Sequence, residues 1–360
     1  MTALSASRSD IIEGDIAAIV ARELDWQALS GRRVVVTGAG GFIGGYLVRT
    51  LLALHRLGKV ALPVDVVALV REPERARRRF ASDPDAGRID WLHWDLNQFA
   101  LPPLGEAHVV LHAASQASPR YYAVDPVGTM LPNTVGTAAL LEAWRRCADP
   151  RGFLFVSSSE AYGAAADGEA WRETDTGRLD PLDARACYAE SKRAGEALCM
   201  AWHRQHGLPT HIVRPFHTYG PGLRPDDGRV FADFAFNVAR SEDIVIHSAG
   251  TARRAFCYIS DAIAGVFSVL LSGQPGRCWN VANASAELSV LELAKLLAGL
   301  FPDRRLAIDR RVQGDAPVAA DRIVPNTTRL ESLGWRARVP PAEGFLRMID
   351  AIHAWDPDVR

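Results

Sequence analysis

The sequence is poor in cysteine, in long apolar runs and in net charge. Its five cysteines (Cys147, Cys187, Cys199, Cys257 and Cys278) form an odd, scattered set with no CxxC pair among 360 residues. That pattern speaks against a disulfide framework and for a reducing compartment. No apolar run reaches the roughly 18 residues a membrane-spanning helix needs. The first thirty residues carry charges throughout, as in Ser9-Asp10-Ile11-Ile12-Glu13-Gly14-Asp15, and no apolar stretch follows a basic start. No secretory leader is expected, and a cytoplasmic location is. The 41 Lys and Arg nearly cancel the 42 Asp and Glu, leaving −1, which excludes a strongly basic nucleic-acid binder. His203 and His206, the closest pair of the ten histidines, read as an exposed helix face, so no metal is expected.

A composition of 48% hydrophobic and 23% charged residues is that of an ordinary globule. Apolar positions recur at helical spacing over residues 10–29, then strands and helices alternate. Strands are predicted over 32–37, 64–70, 88–94, 107–112, 153–157 and 210–213, with helices over 44–57, 131–147 and 188–206. Strands joined by helices make a parallel sheet covered on both faces, the doubly wound α/β class. Past residue 215 the loops lengthen and gain Pro and Gly. Helical stretches near 230–240, 260–272 and 289–300, with apolar segments at 244–247 and 278–282, predict a smaller mixed α/β lobe over the sheet's carboxyl edge. The organisation expected is a helical extension (1–30), a dinucleotide-binding domain (31–215) and a mainly substrate-binding lobe (216–360), with an interwoven boundary. The run Arg75, Arg77, Arg78, Arg79 reads as a solvated helix face.

Three motifs carry chemistry. Gly38, Gly41 and Gly44 lie in Thr37-Gly38-Ala39-Gly40-Gly41-Phe42-Ile43-Gly44, between a β-branched strand and a helix. A tight turn followed by a helix N-terminus lets backbone approach a pyrophosphate, so this stretch predicts dinucleotide binding. The second strand ends at Arg71-Glu72. Glu72 there suits the ribose hydroxyls of NAD, whereas Arg71 suits the 2′-phosphate of NADP; NAD is the expected cofactor, with NADP open. Asp95-Leu96, after the third strand, is placed either to meet the adenine or to cap a helix. The second motif is Tyr188-Ala189-Glu190-Ser191-Lys192. Its i, i+4 spacing puts phenol and ammonium on one helix face, where the cation favours phenolate. A tyrosine so tuned takes the proton of an alcohol as its hydride leaves. The third is Ser157-Ser158-Ser159-Glu160, at the carboxyl end of a predicted strand and therefore facing the ligand crevice.

Together these motifs resemble the extended short-chain dehydrogenases/reductases that act on nucleotide sugars (the NAD-dependent epimerases and dehydratases), over roughly residues 32–352. Within that group the chain is most similar to the UDP-glucuronate decarboxylases. The stretches that carry this are His112-Ala113-Ala114-Ser115-Gln116-Ala117-Ser118-Pro119 with Asn133-Thr134-Val135-Gly136-Thr137, Arg185 to Arg193, Asp227-Gly228-Arg229-Val230, and Arg254 to Asp261. The resemblance implies that Ser158 hydrogen-bonds the sugar 4-hydroxyl beside Tyr188, and that Lys192 holds the nicotinamide ribose. Ser159 and Glu160 would face C5 and C6. Cofactor contacts would come from Gly38, Gly41, Phe42, Ile43, Gly44, Arg71, Asp95, Leu96, Ala113, Ser115 and Pro215 besides Tyr188 and Lys192. Ser118, His217, Arg229 and Arg254 would bind the sugar nucleotide, and Asn133 would be structural. Ser158 replaces a usual threonine, His217 a usual asparagine and Gln116 a usual proline. The implied reaction is C4 oxidation of a UDP-hexuronate by bound NAD, loss of CO2 and return of the hydride. A 4-epimerase and a 4,6-dehydratase share the first step and stay open, as does a sensor that only binds dinucleotide. A homodimer through a four-helix contact that includes the Tyr188 helix is expected.

Overall fold

The computed structural model describes residues 7–164, 169–311 and 322–355. Six parallel strands follow one another: β1 (Arg33–Thr37), β2 (Asp65–Val70), β3 (Ile89–His93), β4 (Val109–His112), β5 (Gly152–Val156) and β6 (Thr210–Pro215). Three short ones come next, β7 (His217–Tyr219), β8 (Ile244–Ile246) and β9 (Arg253–Tyr258). Then β10 (Arg277–Val281) returns to pair with β6, completing a seven-stranded sheet of order β10-β6-β5-β4-β1-β2-β3. The segment expected at 278–282 is thus an edge strand of the large sheet, which interweaves the two parts of the chain. β1, β4 and β5 are buried along nearly their whole length. Helices cover both faces of such a sheet, which explains the unbroken Val/Ile/Leu runs. A smaller sheet joins β11 (Glu287–Ser289) and β13 (Arg322–Ile323) to β9, with β7 on the side, while β12 (Ile308–Arg310) pairs with β8.

The helices are α1 (Arg8–Val20), α2 (Phe42–Arg56), α3 (Pro73–Arg79), α4 (Arg120–Val124), α5 (Pro126–Met130), α6 (Val135–Arg145), α7 (Ala186–His206), α8 (Val230–Ala239), α9 (Ile259–Leu270), α10 (Val290–Leu300), α11 (Thr328–Glu331) and α12 (Pro341–Trp355). The N-terminal helix predicted over 10–29 ends at Val20; Trp26–Leu29 forms a separate 3-10 turn. Tertiary contacts break it: Trp26 packs edge-on against Phe267 at 5.1 Å, and Arg22 ion-pairs with buried Asp261 at 2.5 Å. A Ser7–Asp10 capping box starts α1, and Ile12, Ile16, Ile19 and Val20 bury it against α2, α9 and α12. Its Asp15 is fully buried and accepts hydrogen bonds from Tyr46 (2.9 Å) and Tyr258 (2.8 Å), with Arg347 at 3.2 Å. The extension is therefore an integral part of the core, except residues 1–6, which lie outside the described residues. α7 ends where Gly207 turns left-handed, φ 69°. There His203 Nδ1 donates to the Leu208 carbonyl (2.7 Å), so it closes the helix rather than lying on an exposed face.

Candidate active site

The carboxyl ends of the large sheet open into one cavity of about 680 Å³. Its floor is the turn from β1 into α2. Gly38 adopts φ +65°, and a Cβ there would fall 2.7 Å from the Ala114 Cα. A Cβ on Gly44 would sit 2.2 Å from the Gly38 carbonyl oxygen, so α2 starts only because that side chain is missing. This is the cradle a pyrophosphate needs, with Phe42 and Ile43 beginning the helix beneath it. Behind it the Thr37 hydroxyl, 2.7 Å from His112 Nδ1, accepts from the Ala114 amide at 3.1 Å and ties β1 to the β4 loop. Burial and the Lys192 charge push His112 down to about 3, so it stays a neutral strut.

Every residue expected to touch cofactor or substrate lines this cavity except Arg254. Arg71, Asp95 and Leu96 follow β2 and β3, Ala113, Ser115 and Ser118 follow β4, Ser158, Ser159 and Glu160 follow β5, Pro215 ends β6, Tyr188 and Lys192 lie on α7, and His217 and Arg229 come from β7 and the residue before α8. Asp95 accepts from the Asn97 amide at 3.0 Å, making a local turn as it lines the wall. Arg254 sits on β9, off the wall, and donates to the Arg253 carbonyl at 2.7 Å. It still reaches the site electrostatically. Burial first, then Arg254 and Arg229, push His217 down to about 3, so its ring is neutral; Nδ1 is buried with no hydrogen-bond partner.

The β5 end and α7 bring the reacting groups together. Tyr188 is buried, and its pKa rises, first because of that burial and then because of the Glu160 carboxylate; Ser158, Arg229 and Ser115 pull it back down. The Ser115 hydroxyl is itself buried without a well-aligned partner. The Lys192 ammonium lies 5.6 Å from the Tyr188 ring centroid and donates to the Val156 carbonyl at 2.7 Å. Burial lowers it to about 7, against the pull of Glu196. The acidification of the phenol expected from the YxxxK spacing is thus outweighed here by desolvation. Asn133 donates to the Thr129 carbonyl and to Ser191 Oγ, each at 3.0 Å, and so fixes α7 from behind.

Two features escaped the sequence reading. Tyr122 on α4 stacks on Tyr188 at 5.1 Å and 13°, and its hydroxyl points to Glu160 Oε1 at 3.4 Å and donates to the Ala117 carbonyl at 3.2 Å. Glu160 opens onto the cavity yet is walled by protein elsewhere; this desolvation raises its pKa against Arg185, Tyr122 and Arg229. Nothing in the local pattern around Tyr122 separates it from Tyr121. The second is the arginine run of α3. Arg75, Arg77 and Arg78 are exposed as expected, but Arg75 also lines the cavity, as does half-buried Arg79, which donates to the Gly40 carbonyl. Helical spacing divides the run between two faces.

The family model for the NAD dependent epimerase/dehydratase family matches residues 34–282, well over half of the chain. The chain belongs to this family. It is 31% identical to UDP-glucuronic acid decarboxylase 6 of Arabidopsis thaliana over 320 residues, 88% of this chain and 87% of the relative. It is 33% identical to UDP-glucuronic acid decarboxylase 2 of the same plant over 321 residues, 89% of this chain and 68% of the relative. Its fold matches the UDP-glucuronic acid 4-epimerase of Bacillus cereus solved with UDP-glucuronic acid and NAD, with a TM-score of 0.72 and 23% identity over 89% of this chain and 98% of that one. Family membership makes the protein an NAD-dependent enzyme that modifies nucleotide sugars. No helix among the described residues is long and apolar enough to cross a membrane.

Proposed function

We propose that the enzyme decarboxylates UDP-glucuronate to a UDP-pentose. The observation that carries this is Arg229. It is held by Asp227 at 2.8 Å, lies on the cavity wall and acts electrostatically on Tyr188, Tyr122, Glu160 and His217 together. Burial works against its charge, but Asp227 and the two phenols outweigh that and keep the guanidinium protonated. A fixed cation beside the phenol–carboxyl pair suits a sugar that brings its own carboxylate. The 31–33% identical decarboxylases support the same reading.

The glycine cradle and the unpartnered Ser115 hydroxyl fit a dinucleotide. A nicotinamide dinucleotide bound there would supply the acceptor for the C4 hydride and the source of its return. Tyr188 takes the 4-hydroxyl proton, with Ser158 donating to the same oxygen. The resulting 4-ketone makes the sugar a β-keto acid. Its C5–C6 bond breaks, CO2 leaves, and the bonding pair becomes a 4,5-enolate. Ser158 and Tyr188 stabilise the oxyanion, one such donor typically contributing about 3 kcal/mol. Glu160, its pKa raised, returns a proton at C5. Lys192 would hold the ribose side of the cofactor, and Ser159 and His217 would bound the sugar.

Incubating the protein with UDP-glucuronate should release CO2 and give a pentose nucleotide by mass. UDP-galacturonate without CO2 would make it a 4-epimerase, and a 4-keto-6-deoxy product from a neutral hexose nucleotide a dehydratase. The reading includes a cytoplasmic homodimer. Val124, Val127 and Met130 are exposed on α4 and α5, next to α7, and support that contact face; light scattering would test it.

A further inference from the structure

We infer that the adenosine end of the cavity is built for a 2′-phosphorylated dinucleotide, so that the enzyme binds NADP in preference to NAD. This goes beyond the family description, which names NAD, and it rests on the reading that the cavity holds a dinucleotide at all.

The register of the sheet sets the geometry. Thr37 of β1 lies opposite Leu69 of β2, so β2 delivers Val70 and Arg71 beside the first glycine of the cradle. α3 begins two residues later and packs directly on that loop: a Cβ built on Gly40 would be 3.2 Å from the Ala76 Cβ. The ribose of a dinucleotide seated on the cradle would fall between the loop and the end of β2. An acid there selects the 2′-hydroxyl, and an arginine accepts a 2′-phosphate.

Arginine dominates this place. Arg71, Arg75 and Arg79 line the cavity there, and Arg224 joins them from the β7–α8 connection. Arg79 is pushed down to about 10, first by burial and then by Arg224, Arg8, Arg75 and Arg49. Several guanidiniums are thus gathered within electrostatic reach of Arg79. Arg49 is matched by Asp83, at 3.0 and 2.9 Å. Glu72, the acid that would recognise a free ribose hydroxyl, lines the same cavity but is engaged by Arg75 at 3.3 Å. Asp125 also lines the cavity and feels Arg71, but it is held by Gln116 and the Gly128 amide. A phosphate dianion would relieve the repulsion among the guanidiniums and accept several charge-assisted hydrogen bonds.

The test is calorimetric titration of the full-length protein with NADP+, NAD+ and adenosine 2′,5′-bisphosphate, repeated on Arg71→Ala and Arg75→Ala. These two side chains are exposed, so their removal leaves the fold intact. NADP+ should bind at least about tenfold tighter than NAD+, the worth of one charge-assisted contact. The bisphosphate should bind as well, and raising the salt from about 0.05 to 0.3 M should weaken NADP+ more than NAD+. Arg71→Ala should lose most of the NADP+ advantage while NAD+ changes less than about twofold. Equal or tighter binding of NAD+, or an Arg71→Ala loss shared equally by both dinucleotides, would overturn the inference and leave the dinucleotide site standing. Failure of both dinucleotides to bind would overturn the site assignment itself.

Discussion

The proposed chemistry needs Lys192 at the cofactor ribose, yet burying it is costly for folding, and Lys192→Met separates the two. The side chain is 2% exposed, and its pKa falls from 10.5 to about 7. The unfolded chain therefore holds this proton more strongly than the folded one between those values. The resulting cost is fully present below pH 7, shrinks as the pH climbs, and vanishes above 10.5. A shift of that size amounts to roughly 4–5 kcal/mol at its full extent. Methionine has a similar length and no charge, so it removes the cost but also the bond to the Val156 carbonyl, worth about 1.5–3 kcal/mol for a charged donor. The net expectation is stabilisation by about 1–3 kcal/mol at pH 7, read as a melting point higher by about 1–4 °C in a chain of this length. The same variant should have no measurable turnover. Differential scanning fluorimetry of dinucleotide-free protein at pH 7.0 and 9.5 checks both size and sign: the gain should shrink at the higher pH. A variant less stable than the parent at both pH values, by the same amount, would refute the argument that burying this ammonium is costly.

Three further outcomes follow from the same geometry. Tyr188→Phe should keep the fold and the stacking on Tyr122 but lose turnover by at least about a thousandfold, measured as CO2 release from UDP-glucuronate. Gly44→Ala places a methyl group 2.2 Å from the Gly38 carbonyl; the cradle must open, and dinucleotide affinity should drop at least tenfold (about 1.4 kcal/mol) by titration. Asp15→Leu leaves the buried hydroxyls of Tyr46 and Tyr258 without their acceptor and should destabilise the protein by about 2–4 kcal/mol in urea unfolding, with α1 becoming protease-sensitive first.

Much of the framework was legible because it is written in local patterns. The period of the apolar residues set the strands of the parallel sheet, and the spacing of Gly38, Gly41 and Gly44 marked the only kind of turn that lets α2 start against the β1 loop. The four-residue interval from Tyr188 to Lys192 put both on one face of α7. Local pattern misled where a neighbour in space outbid it. Helical periodicity ran on past Val20, but Asp261 and Phe267, some 240 residues away, claimed Arg22 and Trp26.

What the sequence by itself determined, then, was which chemical groups stand at the end of which strand. Tertiary structure alone decided their electrostatic state and their company. Desolvation, which depends on everything packed around a group, raised the Tyr188 phenol and lowered the Lys192 ammonium, although their spacing alone argues for a more acidic phenol. It was also packing, of α4 on α7, that laid Tyr122 over Tyr188, and of α3 on the glycine loop, that turned two arginines of a surface run toward the cavity. Burial and through-space fields sum over residues far apart in the chain, and no window of neighbouring letters contains them.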